Sequence, residues 1–242
     1  EKELFFWVVL MALNPLTGLG GVVATPDVPL LLFWTLSLIY FWRANQANRS
    51  SDWLMLGLSL GFGFLSKYHM VIFVFAAIAF LVSQRQISKM LNKKIGLTLA
   101  AGLIASFPVL MWNYQNDFIS FIFQIQHGLG QPWTLVHLSE YILGQFLILS
   151  PIVFWILLKT LYKKDFQGKR AFFIFMGGVP FLFFALSSLR GRVEANWTLV
   201  SMPFLLALAA KGASKSIKKF LFGYWAVVYS LIIGLLWLQP LP

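Results

Sequence analysis

The sequence predicts an all-α protein, a polytopic transmembrane helix bundle of about nine spans. Three observations carry that prediction. Hydrophobic residues make up 59% of the chain and charged residues 11%, against roughly 25% charged in an ordinary soluble domain. Mean hydropathy is correspondingly high, at +0.78. The apolar residues also fall in long continuous runs, without the period-two alternation of barrel strands, and only helices and closed barrels satisfy their backbone inside a bilayer. Finally, the basic residues fall in alternate connections, the pattern that cytoplasmic loops impose.

In chain order the runs are Leu4–Ala24, Val28–Trp42, Trp53–Ser66, Met70–Ser83, Ile95–Trp112, Tyr141–Leu161, Ala171–Leu189, Leu199–Ala210 and Phe220–Leu238. A helix needs roughly 20 residues to cross the hydrocarbon core, so the shorter runs must borrow length from their flanks or let polar groups dip inward. Together they read as one transmembrane domain, 1–242, with an amphipathic outer loop at 114–140. The opening Glu1-Lys2-Glu3-Leu4 has neither an initiator Met nor a signal-peptide basic region, so the expectation is a fragment of a longer chain.

With nine spans, the loops holding Arg43 and Arg49, then Arg85 to Lys94, then Lys159 to Arg170, then Lys211 to Lys219 share one side with Lys2. That side is cytoplasmic by the positive-inside rule, and only Lys67, Arg190 and Arg192 are left outside. The net charge of +11 is thereby explained by membrane orientation, and nucleic acid is not expected as a partner. The absence of Cys excludes disulfides, thiolate metal ligands and a thiol nucleophile. Small residues at Gly57, Gly61 and Gly63 form a close-packing face, and Gly177-Gly178 before Pro180 reads as a kink or close approach.

The unusual polar groups gather in the outer connections. Asp27 stands between Pro26 and Pro29, where the helix is interrupted. It reads either as a helix-start cap beside Thr25 or as a functional carboxylate, since an acid at the end of a membrane helix needs partners. Lys67, in Lys67-Tyr68-His69, breaks the positive-inside trend; it either snorkels beside an aromatic anchor at Tyr68 or presents a point charge to a phosphate. The stretch Arg190-Gly191-Arg192-Val193-Glu194-Ala195-Asn196-Trp197 offers two guanidiniums for bidentate phosphate contacts and a carboxylate. It adds an amide that both donates and accepts, and a flat indole for a sugar or lipid. The alternative is an interfacial loop with internal ion pairs of little worth. Asn113 follows Trp112 at the end of a run and reads as binding or anchoring.

Phe118 to Gln126 has the pattern of a helix lying in the interface, either a structural or a substrate-facing lid. His127 and His137 lack a helical metal-ligand spacing and read as solvated. No strong metal motif is present; a divalent cofactor is left open.

The ordered set Thr25-Pro26-Asp27-x-Pro29-Leu30-x-x-Phe33-Trp34, Gly57-x-x-x-Gly61, Leu65-Ser66-Lys67-Tyr68, Pro108-x-x-x-Trp112-Asn113 and Glu194-Ala195-Asn196-Trp197 resembles bacterial family 39 glycosyltransferases. These are relatives of protein O-mannosyltransferases and lipid A aminoarabinose transferases with the GT-C fold. The resemblance runs nearly end to end. It implies a sugar donor on a polyprenyl phosphate, a lipid or protein acceptor, inverting transfer, and an integral protein of the bacterial inner membrane with its active face periplasmic. It further implies an acidic catalytic motif after the first span; none precedes Leu4, so the principal catalytic acid is expected upstream of residue 1. On this reading Asp27 and Glu194 are the catalytic candidates. Lys67, Tyr68, His69, Asn113, Arg190, Arg192, Asn196 and Trp197 are candidates for substrate binding. The rival class is a transporter or flippase of a lipid-linked or anionic substrate. It predicts inverted repeats and charges near the midplane, and the sequence shows neither.

Overall fold

The computed structural model describes residues 2–20, 25–129, 132–162 and 166–238. Ala24, Lys163, Lys164 and the terminal Pro240–Pro242 lie outside these, as does the side chain of His127. Every regular element among the described residues is helical. The helices are α1 (Lys2–Leu13), α2 (Pro15–Gly20), α3 (Asp27–Ala47), α4 (Ser50–Ser66), α5 (Val71–Ser83) and α6 (Ile95–Gln115). They continue as α7 (Ile119–Leu129), α8 (Val136–Leu149), α9 (Pro151–Tyr162), α10 (Gly168–Ser187), α11 (Met202–Gly212) and α12 (Lys215–Leu238). Short 3-10 turns cover Tyr68–Met70, Ile87–Leu91 and Ala195–Ser201.

The expectation of about nine spans is corrected. Among the described residues three helices, α6, α10 and α12, are long and apolar enough to cross a membrane, or four if the bent pair α8–α9 counts as one span. Two of the predicted spans are broken at a residue followed by proline. Leu4–Ala24 divides at Asn14-Pro15, where Asn14 Oδ1 accepts the backbone N–H groups of Leu16 and Thr17 and its amide donates to the Ile148 carbonyl at 2.8 Å. Proline at a helix start needs no partner for its missing N–H, so this break is an efficient one. Tyr141–Leu161 turns through 101° at Ser150-Pro151, with Ser150 at a φ of 73°. Leu199–Ala210 yields only the 11-residue α11, because residues 195–201 wind as a 3-10 turn.

The packing explains which side of each helix is buried. Trp34, Phe41, Phe73, Phe80 and Phe172 form a core in which ring edges meet ring faces, joining α3, α5 and α10. A second core gathers Leu10, Leu149, Val153, Leu206, Leu221 and Trp225 from α1, α8, α9, α11 and α12. Phe181 packs against both. Helices α4 and α6 cross with almost no separation: a Cβ on Gly57 would stand 2.3 Å from the Thr98 carbonyl oxygen, and one on Gly61 would stand 2.5 Å from that of Gly102. Thr98 adds a hydrogen bond from Oγ1 to the Trp53 carbonyl at 2.7 Å.

Helices α3 and α5 run one way and α4, α6 and α10 the other, so their termini collect at two ends of the bundle. At one end Lys89 Nζ donates to the Asn45 carbonyl at 3.0 Å and Lys94 Nζ to that of Asn48. There too Asn92 and Trp53 donate to Asn48 Oδ1, and Arg43 pairs with the buried Asp52 at 3.0 Å. Gln84 joins the start of α10 to the same end through Phe166 and Gly168. The opposite end brings the outer-loop candidates together.

Candidate functional site

Asp27 opens α3 but does not cap it. The N-cap position belongs to Pro26, and no side chain bonds to the first turn; Val28 N–H instead donates to the Thr25 carbonyl at 3.1 Å. The carboxylate, 4% exposed, turns across the bundle. Its Oδ1 accepts from Lys67 Nζ at 2.6 Å and its Oδ2 from Asn196 Nδ2 at 2.7 Å. One buried anion therefore ties together the start of α3, the end of α4 and the start of the 3-10 turn at Ala195–Ser201. An acid in the first turn is also on the favourable side of the helix dipole.

Lys67 owes its position to a break in the helix. It ends α4 in an extended conformation, at φ −161° and ψ 135°, and the next three residues wind as a 3-10 turn before α5 starts. Tyr68, Asn113 and Ser120 close a ring of hydrogen bonds. Asn113 Nδ2 donates to the Tyr68 oxygen at 3.2 Å, Tyr68 and Ser120 hydroxyls are 2.7 Å apart, and Ser120 Oγ donates to Asn113 Oδ1 at 2.6 Å. Asn113 is fully buried, and its amide also donates to the Val109 carbonyl at 2.9 Å. Pro108, one residue before Val109, lies inside α6.

His69 is wedged between the rings of Trp197 and Phe184, each with its centroid 5.0 Å away, and its Nδ1 is buried without a hydrogen-bond partner. Burial lowers its pKa to about 4; the Lys67 ammonium acts in the same direction and the Asp27 carboxylate opposes both. The imidazole is therefore neutral at physiological pH.

The segment 190–197 divides into two parts. Asn196 and Trp197 turn inward, onto Asp27 and His69. Arg192 and Glu194 face outward: their side chains are 73% and 57% exposed and form a loose pair at 3.6 Å. Arg190 lies over the Trp133 ring at 4.6 Å, next to the bond from Thr134 N–H to the Leu189 carbonyl. His137 pairs with Glu140 on the surface at 3.2 Å. No three His, Asp or Glu side chains converge among the described residues.

A cavity of about 360 Å³ opens at this end, lined by Pro26, Phe64, Leu65, Ser66, Lys67, Tyr68, His69, Val109, Gln124 and Trp197. Lys67, Tyr68, His69 and Trp197 thus stand on its wall. Asp27, Asn113 and Asn196 stand behind it and hold wall residues in place, while Arg190, Arg192 and Glu194 are not among the lining residues. Phe64, Ser120 and Gln124 are not among the site candidates assigned from the sequence, although the last two lie in the stretch read there as a structural or substrate-facing lid. The signal for the last two was available: both lie on the polar side of the amphipathic 118–126 stretch, four residues apart. Chemically the wall offers one ammonium with hydrogen-bonding capacity to spare, a neutral imidazole, an amide and a flat indole.

Comparison with known proteins bears on the same residues. Residues 3–112 match the family model described as dolichyl-phosphate-mannose-protein mannosyltransferase. The lipid A galacturonosyltransferase RgtD of Rhizobium johnstonii is 25% identical over 194 residues, covering 77% of this chain and 40% of that protein. The lipopolysaccharide core galacturonosyltransferase RgtB of the same organism is 32% identical over 88 residues, 35% of this chain and 18% of that protein. The chain thus spans about two fifths of the length of the first of these relatives. No solved structure matches it. The stretch similar to that family model, residues 3–112, supplies Asp27, Lys67, Tyr68 and His69, and the chain is similar over a longer stretch to a lipid A galacturonosyltransferase.

Proposed function

We propose that this chain forms the donor-binding part of a glycosyltransferase that moves a sugar from a polyprenyl-phosphate carrier to a lipid or protein acceptor of the cell envelope, at the periplasmic face of a bacterial inner membrane. The observation that carries the reading is Lys67: an ammonium on a cavity wall, fixed by a buried carboxylate, at the end of the bundle away from the basic connections. In the transfer the anomeric C–O bond breaks, the polyprenyl phosphate leaves with growing negative charge, and an acceptor hydroxyl adds to the anomeric carbon as it loses its proton. A preorganised cation at the leaving phosphate stabilises that charge more in the transition state than in the ground state.

Lys67 has three N–H donors, and Asp27 takes one. The remaining two are available to phosphate oxygens. Asp27 serves as a positioning residue rather than as the base, because both its oxygens are engaged and it does not line the cavity. Trp197 supplies an apolar face for the sugar ring. Arg190, Arg192 and Glu194 are placed to meet an incoming acceptor at the surface. The relatives' names make galacturonic acid the first sugar to test, and lipid A or the lipopolysaccharide core the first acceptors.

The experiment reconstitutes the full-length protein in vesicles with a polyprenyl-phosphate-linked uronic acid and lipid A. Transfer with release of free polyprenyl phosphate, lost in Lys67→Gln, supports the reading. Movement of the lipid-linked sugar across the bilayer without bond cleavage points to the transporter class instead, and wild-type turnover in Lys67→Gln removes the phosphate role.

A further inference from the structure

Helix α7 is set against the cavity by features that the phosphate-binding reading does not use. The chain reverses sharply after α6: Asp117 and Phe118 both adopt left-handed φ values, 51° and 56°, and Phe118 N–H donates back to the Asn113 carbonyl at 2.8 Å. Two residues later the Ser120 hydroxyl enters the closed ring with Asn113 and Tyr68. Each member of such a ring both donates and accepts, which strengthens all three bonds. Phe121 adds packing, with its ring 5.2 Å from that of Tyr68 and 6.3 Å from that of Phe64. On the other side of α7, Ile119, Ile122 and Phe123 are exposed.

Gln124 lies one turn beyond Ser120, on the same side of α7, and lines the cavity. Its side chain is exposed at the cavity mouth, and its amide has no hydrogen-bond partner among the described residues, so it is open to a ligand entering there. An uncharged amide that donates and accepts suits sugar hydroxyls, which need both, and it complements Lys67, which only donates.

We infer that Gln124 is a substrate-contacting residue for the sugar of the glycosyl donor, and that the Tyr68–Asn113–Ser120 ring is the positioning device that aims it. The inference rests on the donor-binding reading above. Phosphate is held by Lys67 from the α4–α5 break, and the sugar is held from α7. Because Tyr68 adjoins Lys67 and closes the ring with Ser120, the two grips are mechanically joined.

The test uses the full-length protein in vesicles, with donor and acceptor varied separately. Loss of one sugar hydrogen bond weakens binding by about 3- to 10-fold, so Gln124→Ala is expected to raise the donor KM by about that factor. Its acceptor KM and kcat should stay close to wild type. Ser120→Ala is expected to raise the donor KM likewise and to speed amide hydrogen exchange across 119–129, with Ser120→Thr restoring both. Gln124→Ala should leave that exchange unchanged, which separates contact from positioning. The sequence contains no cysteine, so Gln124→Cys introduces a single reporter thiol in this region. Donor should slow its labelling by a maleimide and acceptor should not. A wild type with no turnover overturns the reading on which the inference rests. Wild-type turnover with an unchanged donor KM in Gln124→Ala overturns the sugar contact alone, and unchanged exchange in Ser120→Ala overturns the positioning role.

Discussion

Removing the Asp27 carboxylate tests the site most directly, because both oxygens are committed and the side chain is only 6% exposed. Asp27→Ala strands two donors. Breaking a buried pair by deleting one partner costs about 3–5 kcal/mol; Lys67 keeps 20% of its side chain exposed and can recover some solvation, which places the loss near the lower end, at about 3 kcal/mol. Asp27→Asn should cost less, about 1–2 kcal/mol, since its one oxygen can still accept from Lys67 while the Asn196 amide flips to accept from the new NH2 group. The assay is a double-mutant cycle of Asp27→Ala with Lys67→Ala, read both in equilibrium unfolding in mixed micelles and in kcat/KM for transfer. We expect a coupling of about 2 kcal/mol, a factor of about 30. The Asp27–Asn196 cycle should give a smaller term, for a hydrogen bond to a neutral donor. Effects that add to within about 0.5 kcal/mol would mean that the 2.6 Å contact carries no energy, and the positioning role of Asp27 would be refuted.

Three further outcomes follow from the same geometry. His69 titrates near 4 in the fold and near 6.5 when unfolded, so only the unfolded chain gains a proton between those values. Its contribution should make stability fall as pH drops from about 6.5 to about 4 and level off below, and His69→Gln should flatten that slope in micelle unfolding. Gly61→Ala places a methyl 2.5 Å from the Gly102 carbonyl oxygen and should cost about 1–3 kcal/mol through overpacking. Gly144→Ala on α8 has nothing within 4 Å and should be neutral or stabilising by up to about 1 kcal/mol; unfolding of the two variants side by side checks the contrast. Arg192 and Glu194 form an exposed pair, so Arg192→Gln should change stability by less than about 0.5 kcal/mol, and any loss of transfer should appear in the acceptor KM.

How much of this was legible depends on the distance each feature spans. The α3–α4 hairpin was readable in principle. Asn48 takes the left-handed conformation that ends α3. Asp27 stands 21 residues before it and Lys67 stands 19 after it, so two arms of similar length bring them level. The breaks at Asn14-Pro15 and Ser150-Pro151 were also written in the sequence, as dipeptides that interrupt helices. Continuous hydropathy concealed them, because a kinked apolar segment and a straight one have the same average. The partners of Tyr68 were not legible. Asn113 and Ser120 meet it only because α6 packs tightly on α4 and the chain reverses at Asp117-Phe118, and no local pattern encodes that meeting.

The same contrast explains why Asn196 belongs with Asp27 despite a separation of 169 positions along the chain. A carboxylate buried at a helix end is tolerable only if the rest of the chain delivers donors to it. Lys67 arrives through a local hairpin, whereas Asn196 arrives only after α10 has packed on α5 and the 3-10 turn at Ala195–Ser201 has brought the segment back across the bundle. The second donor is therefore a report on global assembly. A bundle that misplaces α10 leaves one oxygen of Asp27 unpaired and removes Trp197 from His69, so the polar site and the folded state are selected together. That coupling accounts for the division of labour across the site. Residues that must be exact are held by buried polar bonds between helices, while Arg192 and Glu194, on the exposed part of the same segment, are joined only by a solvent-facing pair at 3.6 Å.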